Sequence, residues 1–119
     1  MYTERLLDHF RKPRNVGELG PPALCVDASN PACGDLLRLS VEFEDGVIKR
    51  ARYKVKGCTA SIAAGSVLTE WLIGKTAAEA SGLTPAAIEE ALGGLQPASK
   101  HAAVLCADAV RALLRPQRP

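Results

Sequence analysis

The sequence predicts an α+β domain, a small antiparallel sheet of about three strands with helices packed on it. Two segments of alternating apolar and polar residues, separated by a short turn, predict a hairpin in the first half of the chain. One helical pattern precedes this hairpin and several follow it. The 119 residues suffice for one hydrophobic core, so we expect a single domain over residues 1–119.

Composition narrows the classes of function. Charged residues make up 24% of the chain and hydrophobic residues 47%, which is typical of a folded domain rather than a disordered tail or a coiled coil. The net charge is only +2 and no strong basic cluster stands out, so nucleic acid is not an expected partner. No apolar run approaches membrane-spanning length and no signal peptide is evident, which predicts a cytoplasmic protein without membrane contact.

The first predicted element is a short amphipathic helix that ends near Lys12. Thr3 is placed to cap it, and Pro13 disfavours its continuation. Its predicted apolar stripe consists of Leu6, Leu7 and Phe10. A connection rich in proline, glycine and asparagine follows, and a short strand is predicted within it at residues 23 to 28.

The hairpin is predicted from residues 37 to 43 and 47 to 55, with a turn at Glu44, Asp45 and Gly46. The apolar face of the first strand consists of Leu37, Leu39, Val41 and Phe43. On the second strand the inward residues are Ala51, Tyr53 and Val55, and the outward residues are Arg50, Arg52 and Lys54. We interpret this basic row as a solvated sheet face that resists edge pairing, rather than as an anionic docking surface.

Helices are predicted for the rest of the chain. The first follows Cys58 and stops at Gly74, and its stripe consists of Ile62, Ala63, Val67, Leu68, Trp71 and Leu72. Leu68 and Trp71 are expected to pack on the sheet. Two short helices are predicted after Thr76 and Thr84. A last helix, capped by Ser99, is predicted to run to about Leu114, with burial of Val104, Leu105, Val110, Leu113 and Leu114.

Four cysteines are many for a small chain in a reducing compartment, and they direct attention to metal or sulfur chemistry: Cys25, Cys33, Cys58 and Cys106. Cys33 and Asp35 precede the first hairpin strand and Cys58 follows the second. Because the strands are antiparallel, these ends meet at one edge of the sheet. Thiolates and a carboxylate can bind zinc or iron there.

His101 falls in the first turn of the last predicted helix, where its ring could complete this site. A lone histidine is more often a surface residue than a ligand, so only the neighbouring groups favour this assignment.

Over nearly its whole length the sequence resembles the IscU/NifU-type iron-sulfur cluster scaffold family. The matching stretches are Asp8-His9-Phe10 with Pro13-Arg14-Asn15-Val16-Gly17, residues 30 to 35 (NPACGD), Gly57-Cys58 with Ser61-Ile62-Ala63, Thr69-Glu70-Trp71 with Gly74-Lys75-Thr76, and Asp108-Ala109. Several unrelated blocks in the right order and at compatible spacing make the resemblance specific.

In that family, a cysteine of the first block, the cysteine after the hairpin and a third at the start of the last helix bind a nascent [2Fe-2S] cluster, assisted by an aspartate. The resemblance implies that Cys33, Asp35 and Cys58 fill three of these roles. Together with His101, which its position in the last predicted helix places at the same edge, they form the expected ligand set of the cluster or its iron. It also implies a cysteine desulfurase and recipient apo-proteins as partners, and a scaffold rather than an enzyme.

The chain departs from the family pattern at the third cysteine, where it has Ala102. Cys106 lies four residues further, about 6 Å along a helix, and is predicted to be a buried core thiol. Cys25 is predicted to pack within the first strand. The missing thiol is the one that accepts sulfur in the family, so its absence affects assembly more than binding.

Two further stretches point to a divergent member. Residues 95 to 99 (LQPAS) keep only part of the family's LPPVK motif, which makes an Hsp70-type chaperone a doubtful partner. The insertion of the SufU branch is missing, although Asn30-Pro31 and Pro97-Ala98 look SufU-like.

Two alternatives stay open. A zinc-binding interaction or sulfur-transfer accessory protein of the same fold would close a tetrahedral site with Cys33, Asp35, Cys58 and His101. A thiol enzyme would use a Cys-His pair, but no third orienting group is evident in the sequence.

Overall fold

The computed structural model describes residues 2–30 and 34–115. Within these ranges a three-stranded sheet is covered by helices, which confirms the α+β class. The elements are α1 (Glu4–Arg11), β1 (Leu24–Asn30), β2 (Asp35–Glu44), β3 (Val47–Lys56), α2 (Thr59–Leu72), α3 (Ala77–Ala80), α4 (Pro85–Ala91), a 3₁₀ turn (Pro97–Ser99) and α5 (His101–Leu113). None of the described helices has the length and apolar character of a membrane span.

The sheet has the order β1-β2-β3, and both pairs are antiparallel. The predicted hairpin is therefore confirmed. Asp45 and Gly46 have positive φ angles of 53° and 81°, as a tight hairpin turn between β2 and β3 requires. The pairing of Leu36 with Lys56 brings the start of β2 and the end of β3 to the same edge.

The core lies between the sheet and the helices α2 and α5, which pack on β3 and β1 respectively. Leu39, Val41 and Tyr53 are buried as predicted. The Tyr53 ring lies against Gly65, where an added Cβ would be only 2.4 Å from the ring, and its hydroxyl donates to the Ile62 carbonyl at 2.9 Å. A glycine is therefore needed at this close approach of α2 to β3.

Trp71 is less buried than its position in the predicted stripe suggested. Leu68 is fully buried, whereas Trp71 is half-buried and the ammonium of Lys75 lies 4.6 Å from the centre of its ring. Helix α2 is buried on most of its circumference, because α1, α5 and β3 all pack on it. The periodicity of apolar residues alone could not show which residue of α2 lies at the rim of the core.

Helix α1 has the predicted cap, since the Thr3 hydroxyl accepts from the Leu6 amide at 3.0 Å. Its predicted stripe was partly wrong. Leu6 is buried, but Phe10 is 37% exposed and His9 is buried instead. His9 is three residues from Leu6 and shares its helix face.

The short helices begin as predicted, with side-chain caps from Thr76 and Thr84. The start of α5 differs from the prediction. Ser99 belongs to the preceding 3₁₀ turn, and Lys100 takes the cap position without a side-chain hydrogen bond. Val104, predicted to be buried, is 43% exposed, whereas Leu105, Val110 and Leu113 are buried as predicted.

Candidate metal centre

Three elements meet at the edge of the sheet where the hairpin begins and ends. Asp35 is the first residue of β2, Cys58 is the N-cap of α2 directly after β3, and His101 is the first residue of α5. Antiparallel pairing brings Asp35 next to the chain that leaves β3, and α5 packs on β1 and β2. The ligand atoms of these residues all lie within 4.8 Å of one another.

The ligand atoms of Asp35, Cys58 and His101 form a nearly equilateral triangle, referred to below as the metal triangle. Cys58 Sγ is 3.4 Å from Asp35 Oδ2 and 3.6 Å from His101 Nε2. The third edge, from His101 Nε2 to Asp35 Oδ2, measures 3.3 Å. Asp35 is 5% exposed, whereas Cys58 and His101 are half-buried. The site therefore has a buried carboxylate and a partly open side formed by sulfur and imidazole.

Gly57 leaves room for the carboxylate. A Cβ added at this position would lie 2.6 Å from Asp35 Cγ and within 2.9 Å of both carboxylate oxygens. These separations are far inside van der Waals contact, so any larger residue would displace the carboxylate. The glycine before Cys58 is thus explained by the close approach of Asp35 rather than by an unusual backbone conformation.

Ser61 is a fourth polar residue at the site, and it is buried at 1% exposure. Its hydroxyl donates to Asp35 Oδ2 and lies 3.5 Å from Cys58 Sγ. Ser61 belongs to one of the stretches that match the family, but no role for it was predicted from the sequence. The sequence could have predicted the contact with Cys58, because a residue three positions after a helix N-cap faces the cap side chain.

The charge of Asp35 is stabilised despite its burial. Burial raises the pKa of this carboxyl, but hydrogen bonds from Ser61 and from the side chain and backbone of Cys58, together with nearby His101, outweigh that effect. The net result is a lowered pKa for Asp35. A carboxylate kept ionised in this way is ready to bind a cation.

The arrangement does not match a Cys-His-Asp relay. In such a relay the carboxylate holds one ring nitrogen and the thiol contacts the other. Here Asp35 and Cys58 both approach Nε2 of His101. The three groups point to one location, as ligands around an ion do.

Three of the four predicted site residues form the triangle. Asp35, Cys58 and His101 lie together, whereas Cys33 is outside the described residues, so its participation stays a prediction. Ala102, beside His101, is fully buried.

The other two cysteines have different surroundings. Cys106 is buried, as predicted, and burial raises the pKa of its thiol to about 12. Cys25 was predicted to be packed, but it is exposed, and its sulfur is 3.6 Å from the Ser40 hydroxyl. In strand β1 it lies opposite Ser40, on the face that carries the polar residues of the hairpin.

Proteins of other organisms have sequences related to this chain. The chain is 40% identical over 111 residues to the iron-sulfur cluster assembly scaffold protein IscU 1 of Archaeoglobus fulgidus, covering 93% of this chain and 72% of that protein. It is 38% identical over 117 residues to the iron-sulfur cluster assembly scaffold protein IscU of Escherichia coli K12, covering 95% and 91%.

Solved structures with 21% and 23% sequence identity show the same fold. One, from Fervidobacterium islandicum AW-1, is described as a candidate iron-sulfur cluster assembly scaffold protein for the SUF system; its TM-score is 0.78, with 96% of each chain covered. The other, the N-terminal part of a NifU-like protein of Brucella abortus, has a TM-score of 0.70, with 95% and 91% covered. The family model described as the NifU-like N terminal domain matches residues 1–115, and the chain belongs to this family.

Proposed function

We propose that this protein is a scaffold or carrier for iron-sulfur cluster assembly, in which Asp35, Cys58, His101 and Cys33 bind the iron of a nascent [2Fe-2S] cluster. The cluster is cargo: it is built on the protein and passed on. One observation carries the proposal, namely the convergence of a thiol, a carboxylate and an imidazole at a partly open edge. The naming of its relatives as cluster scaffolds supports the same function.

The dimensions of the triangle suit a tetrahedral metal ion. At tetrahedral angles, metal bonds of about 2.3 Å to sulfur and about 2.0 to 2.2 Å to nitrogen and oxygen imply two ranges of ligand separation: about 3.5 to 3.7 Å from sulfur to nitrogen or oxygen, and about 3.3 to 3.5 Å from nitrogen to oxygen. The observed edges are 3.3, 3.4 and 3.6 Å. A metal ion just outside the plane of the triangle could thus be bound with little movement of the three side chains.

This geometry has a consequence for cluster assembly. In a [2Fe-2S] cluster each tetrahedral iron uses two positions for bridging sulfides and offers two to the protein. Asp35, Cys58 and His101 cannot all bind the same iron of such a cluster. We therefore expect the triangle to bind the first iron, and one of its members to be released or to move when sulfide arrives.

A second candidate function follows from the same triangle. Cys33, two residues before Asp35 in the sequence, could add the fourth ligand and close a tetrahedral zinc site. The replacement of the family's third cysteine by Ala102 leaves the site less rich in soft sulfur ligands, which favours zinc relative to a cluster. In that case the protein would be an interaction or sulfur-transfer accessory protein that no longer builds clusters.

We expect the protein itself to be no enzyme, since the chemistry would belong to the metal and to a donor enzyme. The sharing of one imidazole nitrogen by Asp35 and Cys58 supports this expectation. The expected partners are a cysteine desulfurase and recipient apo-proteins, in the cytoplasm.

Reconstitution tests the proposal. The protein, purified anaerobically, is incubated with iron(II), cysteine and a cysteine desulfurase, and its visible spectrum and its iron, sulfide and zinc contents are measured. Matching iron and sulfide contents with sulfur-to-iron charge-transfer bands would support the scaffold function. A colourless protein that retains one zinc per chain would support the second candidate instead.

A further inference from the structure

The Ser61 hydroxyl has one hydrogen and two neighbours that could accept it. Its oxygen lies against Asp35 Oδ2, and it is 3.5 Å from Cys58 Sγ. The contact with the carboxylate is the shorter one, and an ionised acceptor forms the stronger hydrogen bond. The hydrogen is therefore assigned to Asp35.

We propose that Ser61 is a positioning residue that holds Asp35 Oδ2 at its vertex of the metal triangle. This inference deepens the proposed function and rests on it. Ser61 itself binds no metal in this arrangement. It fixes the direction of the carboxylate that does.

The need for such a residue follows from what happens when a metal binds. Asp35 Oδ2 is contacted by Cys58 Sγ at 3.4 Å and by His101 Nε2 at 3.3 Å. Both atoms are ligands, so a metal replaces these contacts, and the Cys58 thiol loses the proton that it donates. Of the side-chain hydrogen bonds to Asp35 described above, only that from Ser61 survives metal binding.

The same hydrogen bond influences the coordination number. Ser61 donates to Oδ2, the same carboxylate oxygen that faces sulfur and imidazole. Without this hydrogen bond the carboxylate is free to turn and to bind a metal ion through both oxygens, so Ser61 favours binding through Oδ2 alone, which suits a four-coordinate ion. Outer-shell partners of this kind typically change metal affinity by about 10 to 100-fold when removed.

Cobalt(II) is a suitable probe, because tetrahedral cobalt with a thiolate ligand absorbs strongly in the visible range and higher coordination weakens the absorption. Ser61→Ala is expected to weaken cobalt binding by about 10 to 100-fold and to reduce the intensity of the bands. Ser61→Thr, which keeps the hydroxyl, should bind within about threefold of its parent. Ser61→Val has the shape of threonine without the hydroxyl, so the Thr and Val pair reports the hydrogen bond even if both variants lose stability.

Ser66→Ala provides a matched control on the same helix. Ser66 is fully buried and hydrogen-bonded like Ser61, but its partners are His9 and Arg14. This variant should keep the cobalt affinity and the spectrum. Equal affinities of the Val and Thr variants would overturn the proposal.

A double-mutant cycle with Asp35→Ala tests whether Ser61 acts through Asp35. Removing the hydroxyl should weaken cobalt binding in the parent and have no further effect once Asp35 is gone. The same loss in both backgrounds would overturn the positioning role while leaving the metal site in place. Failure of the proposed site itself would look different, since the parent and Cys58→Ala would then bind cobalt equally.

Discussion

Helix α2 contributes a buried serine to two polar clusters that also contain a histidine. In the first cluster, Ser66 lies 2.7 Å from Nδ1 of His9, and Nε2 of the same ring lies 3.6 Å from Glu70 Oε1. Each ring nitrogen therefore has its own partner. In the cluster that contains Ser61, the carboxylate and the thiol approach the same nitrogen of His101.

The difference distinguishes a structural cluster from a candidate ligand site. Ser66 accepts the Arg14 amide at 2.9 Å in addition to contacting His9, so α1 and the following loop are attached to α2 by hydrogen bonds made within the protein. At the sheet edge, the ligand atoms converge on one point. A bound cation would stabilise them better than their contacts with one another do. Both clusters combine a serine, a histidine and a carboxylate, but the cluster at the sheet edge adds a thiol, buries its carboxylate and directs its polar atoms toward one point.

Removal of the Cys58 sulfur from the metal triangle should have the largest effect on metal binding. Cys58→Ala eliminates one vertex of the triangle, and we expect it to lose most of its bound metal, measured by metal analysis and cobalt titration. Cys33→Ala is expected to do the same. Cys25→Ala is the control, because Cys25 is an exposed residue of β1 outside the triangle. Equal metal contents in the three variants would exclude the proposed site.

Displacement of the carboxylate should have the next largest effect. In Gly57→Ala the new Cβ would lie 2.6 Å from Asp35 Cγ, so the carboxylate must move out of its position. We expect metal affinity to fall by about 10 to 100-fold while the fold is retained. Gly20→Ala is the control, since its Cβ would meet nothing within 4 Å. Unchanged affinity in Gly57→Ala would show that Asp35 is not a ligand.

The third prediction adds a thiol next to the metal triangle instead of removing a ligand from it. Ala102→Cys places a cysteine in the first turn of α5, where the helix dipole favours a thiolate. We expect several-fold more persulfide formation and cluster yield with a cysteine desulfurase than in the parent, measured by persulfide labelling and visible absorption. Ala102 is fully buried, so the added sulfur must fit a packed position, at about 1 kcal/mol or more. A parent that builds clusters as efficiently as the variant would show that another thiol supplies the missing ligand.

The cluster of His9, Ser66 and Glu70 can be tested through the pH dependence of protein stability, where we expect the smallest effect. Burial, and the charge of Arg14, lower the pKa of His9. As pH falls through the unfolded-state value of about 6.5, the unfolded chain takes up a proton that the native state does not, so native stability falls toward lower pH. The slope for one such group is at most about 1.4 kcal/mol per pH unit.

The measurement is urea unfolding between pH 7.5 and 5, for the parent and for His9→Gln. The variant removes the titrating group, so its free energy of unfolding should vary less over this range. The carboxyls with lowered pKa values, such as Asp35 and Asp8, affect stability only as pH falls below about 4. An identical slope in both proteins would show that His9 does not titrate as its burial implies.

The sequence by itself determined the order of elements, the hairpin and most helix starts. These features depend on short-range patterns: alternation along β2 and β3, the turn at Asp45 and Gly46, and the caps at Thr3, Thr76 and Thr84. The meeting of Asp35 with Cys58 was also predictable, since antiparallel pairing fixes which strand ends are neighbours.

Only the tertiary structure decided which side of each helix is covered and where polar atoms point. Phe10 and Trp71 have apolar side chains at helical spacing, but neighbouring elements leave them at the surface or the rim, while His9 is covered by α2. Ser61 gained its role because β2 delivers a carboxylate to the first turn of α2, a contact between residues 26 positions apart. Local sequence encodes periodicity and capping, whereas burial and hydrogen-bond direction depend on long-range packing that no short window contains.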